Sequence, residues 1–394
     1  MIRNIMWVII LSVSLSGCWS SKELTELAIV SALSIDKVDD GYSLTVQIIN
    51  PGDIAGKSLT TRVAVSTYKA EGKSIFEAIR KLSKSSPRKL YFAHLRIVIL
   101  GEELAKEGIR KSLELLSRDH EFRTDFYILV AKDHLASDII NVLTPVEKNP
   151  ANKIFNTLEV SQSIWAPTSG VKLDELISKF TSKGNNPVLT GILVQGNEYQ
   201  AGSLSNVESI PSPAVLELSN LAVLKKDKLI GWLNQEESKG YSYVTDKVKS
   251  TVTVIDYEDG YVTLEFTNSK TELIAEIINN VPKIRVTVEP EALIGEVSAS
   301  TNFVTEEEIK KLEEKTNERG EFVLNSSIAK AKEYQSDIFG FGEAIRRKKP
   351  KLWKELESNW DEEGFQNLEV EIQFNTTIRR LGTTNQSFIE EIGE

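Results

Sequence analysis

Cysteine occurs once in this chain, at position 18, closing the tetrapeptide Leu15-Ser16-Gly17-Cys18. A lone thiol closes no disulfide within the chain and builds no thiolate metal site, so the fold has to be held by apolar cores. The residues ahead of it suggest its use. Met1-Ile2-Arg3-Asn4 carries one positive charge, and Ile5 to Leu15 is mostly apolar. As a helix that run spans about 16 Å, whereas a bilayer core is about 30 Å thick. The length suits the h-region of a signal peptide better than a permanent span. Small residues at Ser16 and Gly17 followed by Cys18 look like a lipobox. The expectation is cleavage after Gly17, removing residues 1–17, with S-diacylglycerol and N-acyl attachment at Cys18. One acyl chain holds a protein only marginally, whereas two or more anchor it stably.

The chain has 394 residues, enough for two or three domains. No second apolar run approaches the twenty residues of a membrane helix. Basic residues number 47 against 57 acidic ones, and loss of Arg3 with the leader makes the balance more acidic still. This argues against nucleic acid as a partner, since phosphate binding needs a basic surface. It also argues against attraction to anionic headgroups. Membrane attachment is therefore assigned to the lipid anchor.

Hydrophobic periodicity organises the rest. Leu27 to Lys37 reads as a strand, Asp39-Asp40-Gly41 as a turn, and Tyr42 to Ile49 as the hairpin partner. Arg62 to Ala70 is a third strand, and Ser74 to Lys84 a helix with Ile75, Ile79 and Leu82 on one face. Leu95 to Leu100 is a buried strand, Ile109 to Ser117 a helix, and Arg123 to Ala131 another strand. Asp133 is expected to cap a helix through Val142. A helix within Pro150 to Gly170, another over Leu173 to Phe180 and a strand at Val188 to Gln195 follow. Gly196 to Pro213 reads as a linker, Leu218 to Trp232 as a hairpin turning at Lys226-Asp227, and Gln235 to Lys239 as a short helix.

Strands dominate from Lys249: Thr251 to Ile255, Tyr261 to Asn268, Leu273 to Asn279 and Lys283 to Ala299. Thr305 with Glu308 suggests a capping box ahead of long helices. Phe322 to Phe339 and Lys351 to Trp360 read as helical, and Asn367 to Arg379 as a last strand. The class is α+β and multidomain, with mixed α/β domains and a C-terminal antiparallel sheet packed with long helices. The expected divisions are 18–198 (N-terminal α/β domain), 199–248 (small middle domain or linker region) and 249–394 (C-terminal α+β domain).

No constellation for chemistry emerges. His94, His120 and His134 show no metal-ligand spacing, and no GxSxG, Walker-type loop or GxGxxG occurs. The reading is no enzyme, no catalytic residues, no cofactor and no metal. Phe339-Gly340-Phe341-Gly342 reads as a tight turn with both rings packed inward, where glycine permits positive φ. Arg346-Arg347-Lys348-Lys349 is a basic run at a helix end before Pro350, where cations meet the dipole favourably. A contact with lipid headgroups or an acidic partner is its sharper alternative.

Several blocks together resemble the Ger(x)C family, the C-subunit lipoproteins of nutrient germinant receptors in spore-forming bacteria. They are Gly17-Cys18-Trp19 with Lys22-Glu23-Leu24, Leu27-Ala28-Ile29-Val30 and Ile35-Asp36; His94-Leu95-Arg96 with Ile99 through Ala105 and Gly108-Ile109; Arg118-Asp119 with Arg123 and Val130-Ala131-Lys132; and Asp337 through Gly342 with Trp353 and Trp360. Lys22 stands where the family more often has arginine. The resemblance implies three mixed α/β domains without known enzymatic activity. It also implies a lipid anchor on the outer face of the spore inner membrane, and two integral membrane partner subunits, one transporter-like, in a complex that triggers germination. A lipid-anchored solute-binding protein of a transporter is the alternative. That class usually has two doubly wound lobes, and the meander after Lys249 counts against it.

Overall fold

The structure is a computed structural model, and it describes residues 26–51, 63–299 and 305–379. Cys18, the leader and the start of the strand expected from Arg62 lie outside them.

Among the described residues two sheets form. The first has nine strands: β1 Leu27–Val38, β2 Gly41–Ile49, β3 Val65–Gly72, β4 Lys89–Tyr91, β5 Ile97–Leu100, β6 Tyr127–Ala131, β7 Val188–Gly196, β8 Ala214–Lys225 and β9 Lys228–Trp232. Their order is β3-β2-β1-β5-β6-β7-β8-β9, with β4 beside the start of β1. β1, β5, β6 and β7 run parallel, and antiparallel hairpins flank them on both sides. The two central strands β5 and β6 are apolar throughout because helices cover both faces. Alternation then sorts the side chains. Val98 and Leu100 join Leu33 and Ile35 under α1 (Ile75–Lys81), α2 (Glu102–Glu107), α3 (Arg110–Arg118) and α6 (Leu173–Thr181). Ile97 and Ile99 join Ala32 and Leu129 under α4 (Ala136–Ile140) and α5 (Pro150–Ile164).

The second sheet is β10 Thr251–Tyr257, β11 Gly260–Ile278, β12 Val281–Val297 and β13 Glu369–Phe374, with β14 Thr377–Ile378 also on β12. Pairing is antiparallel from β10 to β12 and parallel from β12 to β13 and β14. Helix α9 (Gln235–Val244) and the 28-residue α10 (Glu306–Glu333) cover it. Leu312, Thr316, Gly320, Leu324 and Ile328 make the buried stripe of α10. At Gly320 an added Cβ would come within 2.5 Å of the Phe374 ring, so glycine lets helix and sheet close together. Val188, Leu221, Val223 and Leu233, from β7 and around β8–β9, belong to this same core, so apolar packing is continuous between the two sheets.

The α+β class is as expected, and several local readings are corrected. Residues 199–248 supply β8 and β9 to the first sheet, and α9. The stretch Gly196 to Pro213 holds two one-turn helices, α7 (Glu198–Ala201) and α8 (Ser205–Glu208), and joins two neighbouring strands of one sheet. Glu102–Glu107 is itself helical, and β6 begins at Tyr127 rather than Arg123. Tyr261 to Asn268 and Leu273 to Asn279 form one strand, because a bulge between Phe266 and Asn268 carries the ladder through the polar interruption. The helix expected from Phe322 to Phe339 is the end of α10, and Gln335 at φ 49° marks the break after Glu333. Helix α9 runs past Lys239 to Val244.

Candidate functional site

The residues most out of the ordinary converge where the second sheet's helices meet the first sheet. Asp337 lies in the loop between α10 and α11 (Phe341–Lys348), fully buried. One carboxylate oxygen accepts the N–H groups of Phe339, Gly340 and Phe341 at 3.2, 2.9 and 3.2 Å. The other accepts Gly342 N–H at 2.7 Å and the Trp360 indole N–H at 2.9 Å. A helix start leaves backbone N–H groups unpaired, and this one side chain satisfies those of Phe341 and Gly342 at the start of α11 and of Phe339 and Gly340 just ahead of it. Burial pushes the Asp337 carboxyl up to about 6, against the donors from Gly342, Trp360 and Phe341.

The same loop is sewn to the first sheet. Asp337 C=O accepts Asn186 N–H at 2.6 Å, and Asp337 N–H donates to Asp361 at 3.1 Å. The Asn186 amide donates to both Asp361 oxygens, at 3.0 and 3.1 Å, while its own oxygen accepts Lys226 N–H from the β8–β9 turn. Gly184 and Gly342 face each other. A Cβ on Gly342 would lie 2.7 Å from the Trp353 ring and 2.8 Å from Gly184 Cα, and one on Gly184 would lie 2.7 Å from Gly342 Cα. Gly184 and Gly340 both sit at φ +80°, where glycine is favoured. The Phe339 and Phe341 rings stack at 5.1 Å, and Trp353 meets Trp360 edge-on at 5.2 Å. The turn expected at Phe339 to Gly342 is therefore present with both rings inside.

Around this seam lies a cleft of about 790 Å³ walled by α3, the end of α6, Gly184 to Asn186, the β8–β9 turn and residues 357–362. Its lining mixes Arg110, Lys179, Lys183 and Lys226 with Glu114, Asp227, Glu357, Asp361 and Glu362. The charges of neighbouring parts pair across it: Lys183 with Glu357 and Lys225 with Glu362, both at 2.9 Å. Deeper in, the buried Tyr241 hydroxyl accepts Lys179 Nζ at 3.1 Å, and Lys247 bonds Ser169 and Glu175. Burial opposes ionisation of Tyr241, but Lys179 and Lys247 outweigh it and hold the hydroxyl below the usual tyrosine range. Lys239 lies over the Trp165 ring at 4.1 Å, and burial lowers its ammonium to about 8.

A second buried carboxylate organises the first sheet. Asp36, at the end of β1, accepts Ala136 and Ser137 N–H at 2.7 and 3.0 Å and so caps α4 from a different strand. The cap expected from Asp133 is not made. Asp133 sits at φ 60° and gives its N–H to Glu102 instead. A Cβ on Gly101 would lie 2.5 Å from Asp36 Oδ1, so glycine there keeps room for the capping carboxylate.

The three histidines do not meet. His94 and His120 are exposed, and His134 bridges Lys132 C=O and Glu198. Among the described residues no group of three His, Cys, Asp or Glu could hold a metal ion, and no helix is long and apolar enough to cross a membrane.

Comparison with known proteins covers both halves. Residues 20–194 match the family model described as the Spore germination protein N-terminal domain. Residues 219–382 match that of the Spore germination B3/GerAC-like C-terminal domain. Spore germination protein KC of Bacillus subtilis (strain 168) is 33% identical over 397 residues, covering 98% of each chain. The chain belongs to this spore germination family. Spore germination protein B3 of the same organism is 24% identical, covering 91% of this chain and 92% of that one. The crystal structure of the GerBC protein shares the fold, with a TM-score of 0.57 over 88% of this chain and 97% of that chain, at 20% identity.

The blocks that carry the germination-family resemblance acquire physical roles here. Asp36 is a cap donated across the sheet, and Gly101 makes room for it. Glu102 receives Asp133 N–H, the Trp232 indole and Lys106. Burial disfavours its charge, but these bonds hold its carboxyl below the usual range. Arg118 pairs with Glu114 and Arg123 with Asp125 on the surface. Asp337, Gly340, Gly342, Trp353 and Trp360 form the seam. Sequence reading missed Asn186, Asp361, Gly184 and Tyr241, which show no motif and become partners only through the fold.

Proposed function

We propose that this chain is a lipid-anchored, non-enzymatic subunit of a nutrient germinant receptor. Cys18 holds it on the outer face of the spore inner membrane beside two integral membrane subunits, one of them transporter-like, and the complex triggers germination. The observation that carries the reading is similarity to a spore germination protein along 98% of both chains. The lipobox supplies the anchor in this reading, and the soluble part acts as a scaffold. Its buried polar groups support that role, because Asp36, Asp337 and Asn186 are spent on backbone N–H groups and on joining elements. The mixed sheet and the β10–β12 meander differ from the paired doubly wound lobes typical of solute-binding proteins.

The test is a pull-down of the tagged chain from detergent-solubilised spore membranes. Two integral proteins should co-purify, in amounts that follow the bait. Recovery of the chain alone, together with saturable calorimetric binding of a free amino acid, would replace this reading with the solute-binding one.

A further inference from the structure

We infer that the tip of the β11–β12 hairpin and the basic surface formed by α11 and α12 (Pro350–Leu356) together dock onto an anionic phospholipid bilayer. The tip is a two-residue turn, Asn279-Asn280, with both residues at positive φ. It presents Ile278 and Val281 to solvent, 57% and 64% exposed. These apolar side chains at a hairpin end leave more than half of their surface to solvent.

The basic surface is alongside. Lys349 Nζ donates to the Asn280 side chain at 2.5 Å, and α11 packs across β11. Over Arg346 to Lys354 the sequence reads Arg-Arg-Lys-Lys-Pro-Lys-Leu-Trp-Lys, with Leu352 and Trp353 turned into the core. Arg346, Arg347, Lys348, Lys351 and Lys354 are exposed. Arg347, Lys348, Lys351 and Lys354 make no ion pair with a described residue, and Arg346 reaches Glu343 only at 3.9 Å. The acids nearest the tip are already matched: Glu276 by Arg285 at 2.8 Å, and Glu369 and Glu371 by Lys283. Glu343 and Glu355 are the acids on these two helices, so a chain with an overall charge of −10 carries a net cationic stretch here. Basic residues around an apolar wedge are the chemistry of an interfacial membrane contact. An acidic protein surface would match the charge but would leave the protruding wedge without an apolar phase.

Placement agrees. β1 and β7 run parallel, so Leu27 and Val188 lie at the same end of the first sheet. Gly184, just before β7, is where Gly342 and the start of α11 pack. The inference rests on the anchored reading only in so far as the Cys18 lipid brings this face to a bilayer.

The test uses the full lipidated chain. With Cys18 acylated, Ile278→Cys supplies the free thiol for an environment-sensitive fluorophore. The labelled protein is mixed with vesicles of phosphatidylcholine alone, or of phosphatidylcholine with phosphatidylglycerol. Flotation with neutral vesicles reports the anchor, whereas emission reports the tip. Expected is a blue shift with quenching by nitroxide lipids in the anionic vesicles only. The same label at Val146→Cys, a 90% exposed position beyond α4, should stay aqueous throughout. Each basic residue near such a surface is worth about fivefold in partition, so R347A/K348A/K351A should lower occupancy of the inserted state about a hundredfold. A shift without flotation on neutral vesicles, repeated with Cys18→Ala so that the label sits only at position 278, would keep the docking and remove the anchor. Aqueous emission on anionic vesicles, or a shift unaffected by the triple substitution, overturns the inference. A shift that needs added integral proteins assigns the face to an acidic partner and overturns it equally.

Discussion

Replacing Asp337 by asparagine keeps the side chain's shape while removing half of its acceptor capacity. Five N–H groups converge on the two carboxylate oxygens, three on one and two on the other. An amide presents one oxygen and one NH₂, so at least two donors lose their acceptor and face another donor. A buried donor left unpaired costs about 1–3 kcal/mol, which puts Asp337→Asn at roughly 2–6 kcal/mol at neutral pH. Urea unfolding followed by tryptophan fluorescence is the assay, since Trp353 and Trp360 are buried beside the loop. With an m-value of about 3 kcal/mol/M, the midpoint should fall by roughly 0.7–2 M. An unchanged midpoint would refute the idea that this carboxylate organises the seam.

The pH dependence gives the same experiment a second arm. Burial raises the Asp337 carboxyl from 3.8 to about 6, so the fold holds the proton more tightly than the unfolded chain does. Its contribution is fully present below about pH 4 and is lost as pH rises through about 6. A displacement of that size is worth on the order of 3 kcal/mol. Asp36, also raised by burial, acts in the same direction. Wild type should lose stability between pH 4 and 6, and Asp337→Asn should flatten most of that slope.

Gly342→Val should unfold or strongly destabilise the chain, because its Cβ would meet Trp353, Trp360 and Gly184 within 2.8 Å; a normal thermal melt with lost germination would make the turn a contact site instead. Asp36→Ala uncaps α4 and leaves two buried N–H groups unpaired, at about 2–6 kcal/mol, measurable as a lower urea midpoint. Cys18→Ala should abolish palmitate labelling and processing at Gly17, and equal labelling of mutant and wild type would end the lipoprotein proposal. Alanine at His94, His120 or His134 should leave nutrient response nearly intact, and a folded, assembled but silent mutant would overturn the scaffold reading.

Elements whose pattern is local were legible in the sequence. The β1–β2 hairpin follows from alternation around Asp39 to Gly41, and α10 begins at Thr305, whose hydroxyl accepts Glu308 N–H. What escaped reading is what depends on residues far apart in the chain. Asp133 stands two residues ahead of Leu135, the N-cap position of α4, and the cap comes from Asp36, 100 positions away from Ala136. Glu308 suggested a capping box, and its carboxylate instead accepts the Tyr257 hydroxyl at 2.7 Å. Asp337 followed by Ile338 and Phe339 continues an apolar helical pattern. Only the fold reveals that its carboxylate gathers the N–H groups of the next helix. Asn186 and Asp361, 175 positions apart, belong to no motif. The basic run at Arg346 to Lys349 was legible as a charge cluster. The apolar tip beside it was not, because Ile278 read as an ordinary strand residue and Val281 fell between two expected strands.

The buried residues among those that carry the family resemblance share one physical character. Asp36 and Asp337 are buried caps, Gly101 and Gly342 are close approaches of backbone to a neighbour, and Trp353 and Trp360 fill the space between. Each fixes how one element sits on another, and each spends its polar atoms on the chain itself. Asp36 and Asp337, whose carboxyls burial raises, are both enclosed by the chain. In the scaffold proposal, recognition falls to the surfaces that these contacts hold in register, the cationic face beside Ile278 and Val281 among them. That makes the relative placement of the two sheets the quantity to perturb. If loosening the seam with Gly184→Ala leaves the chain folded but weakens both vesicle docking and partner recovery, the geometry of the surfaces carries the function.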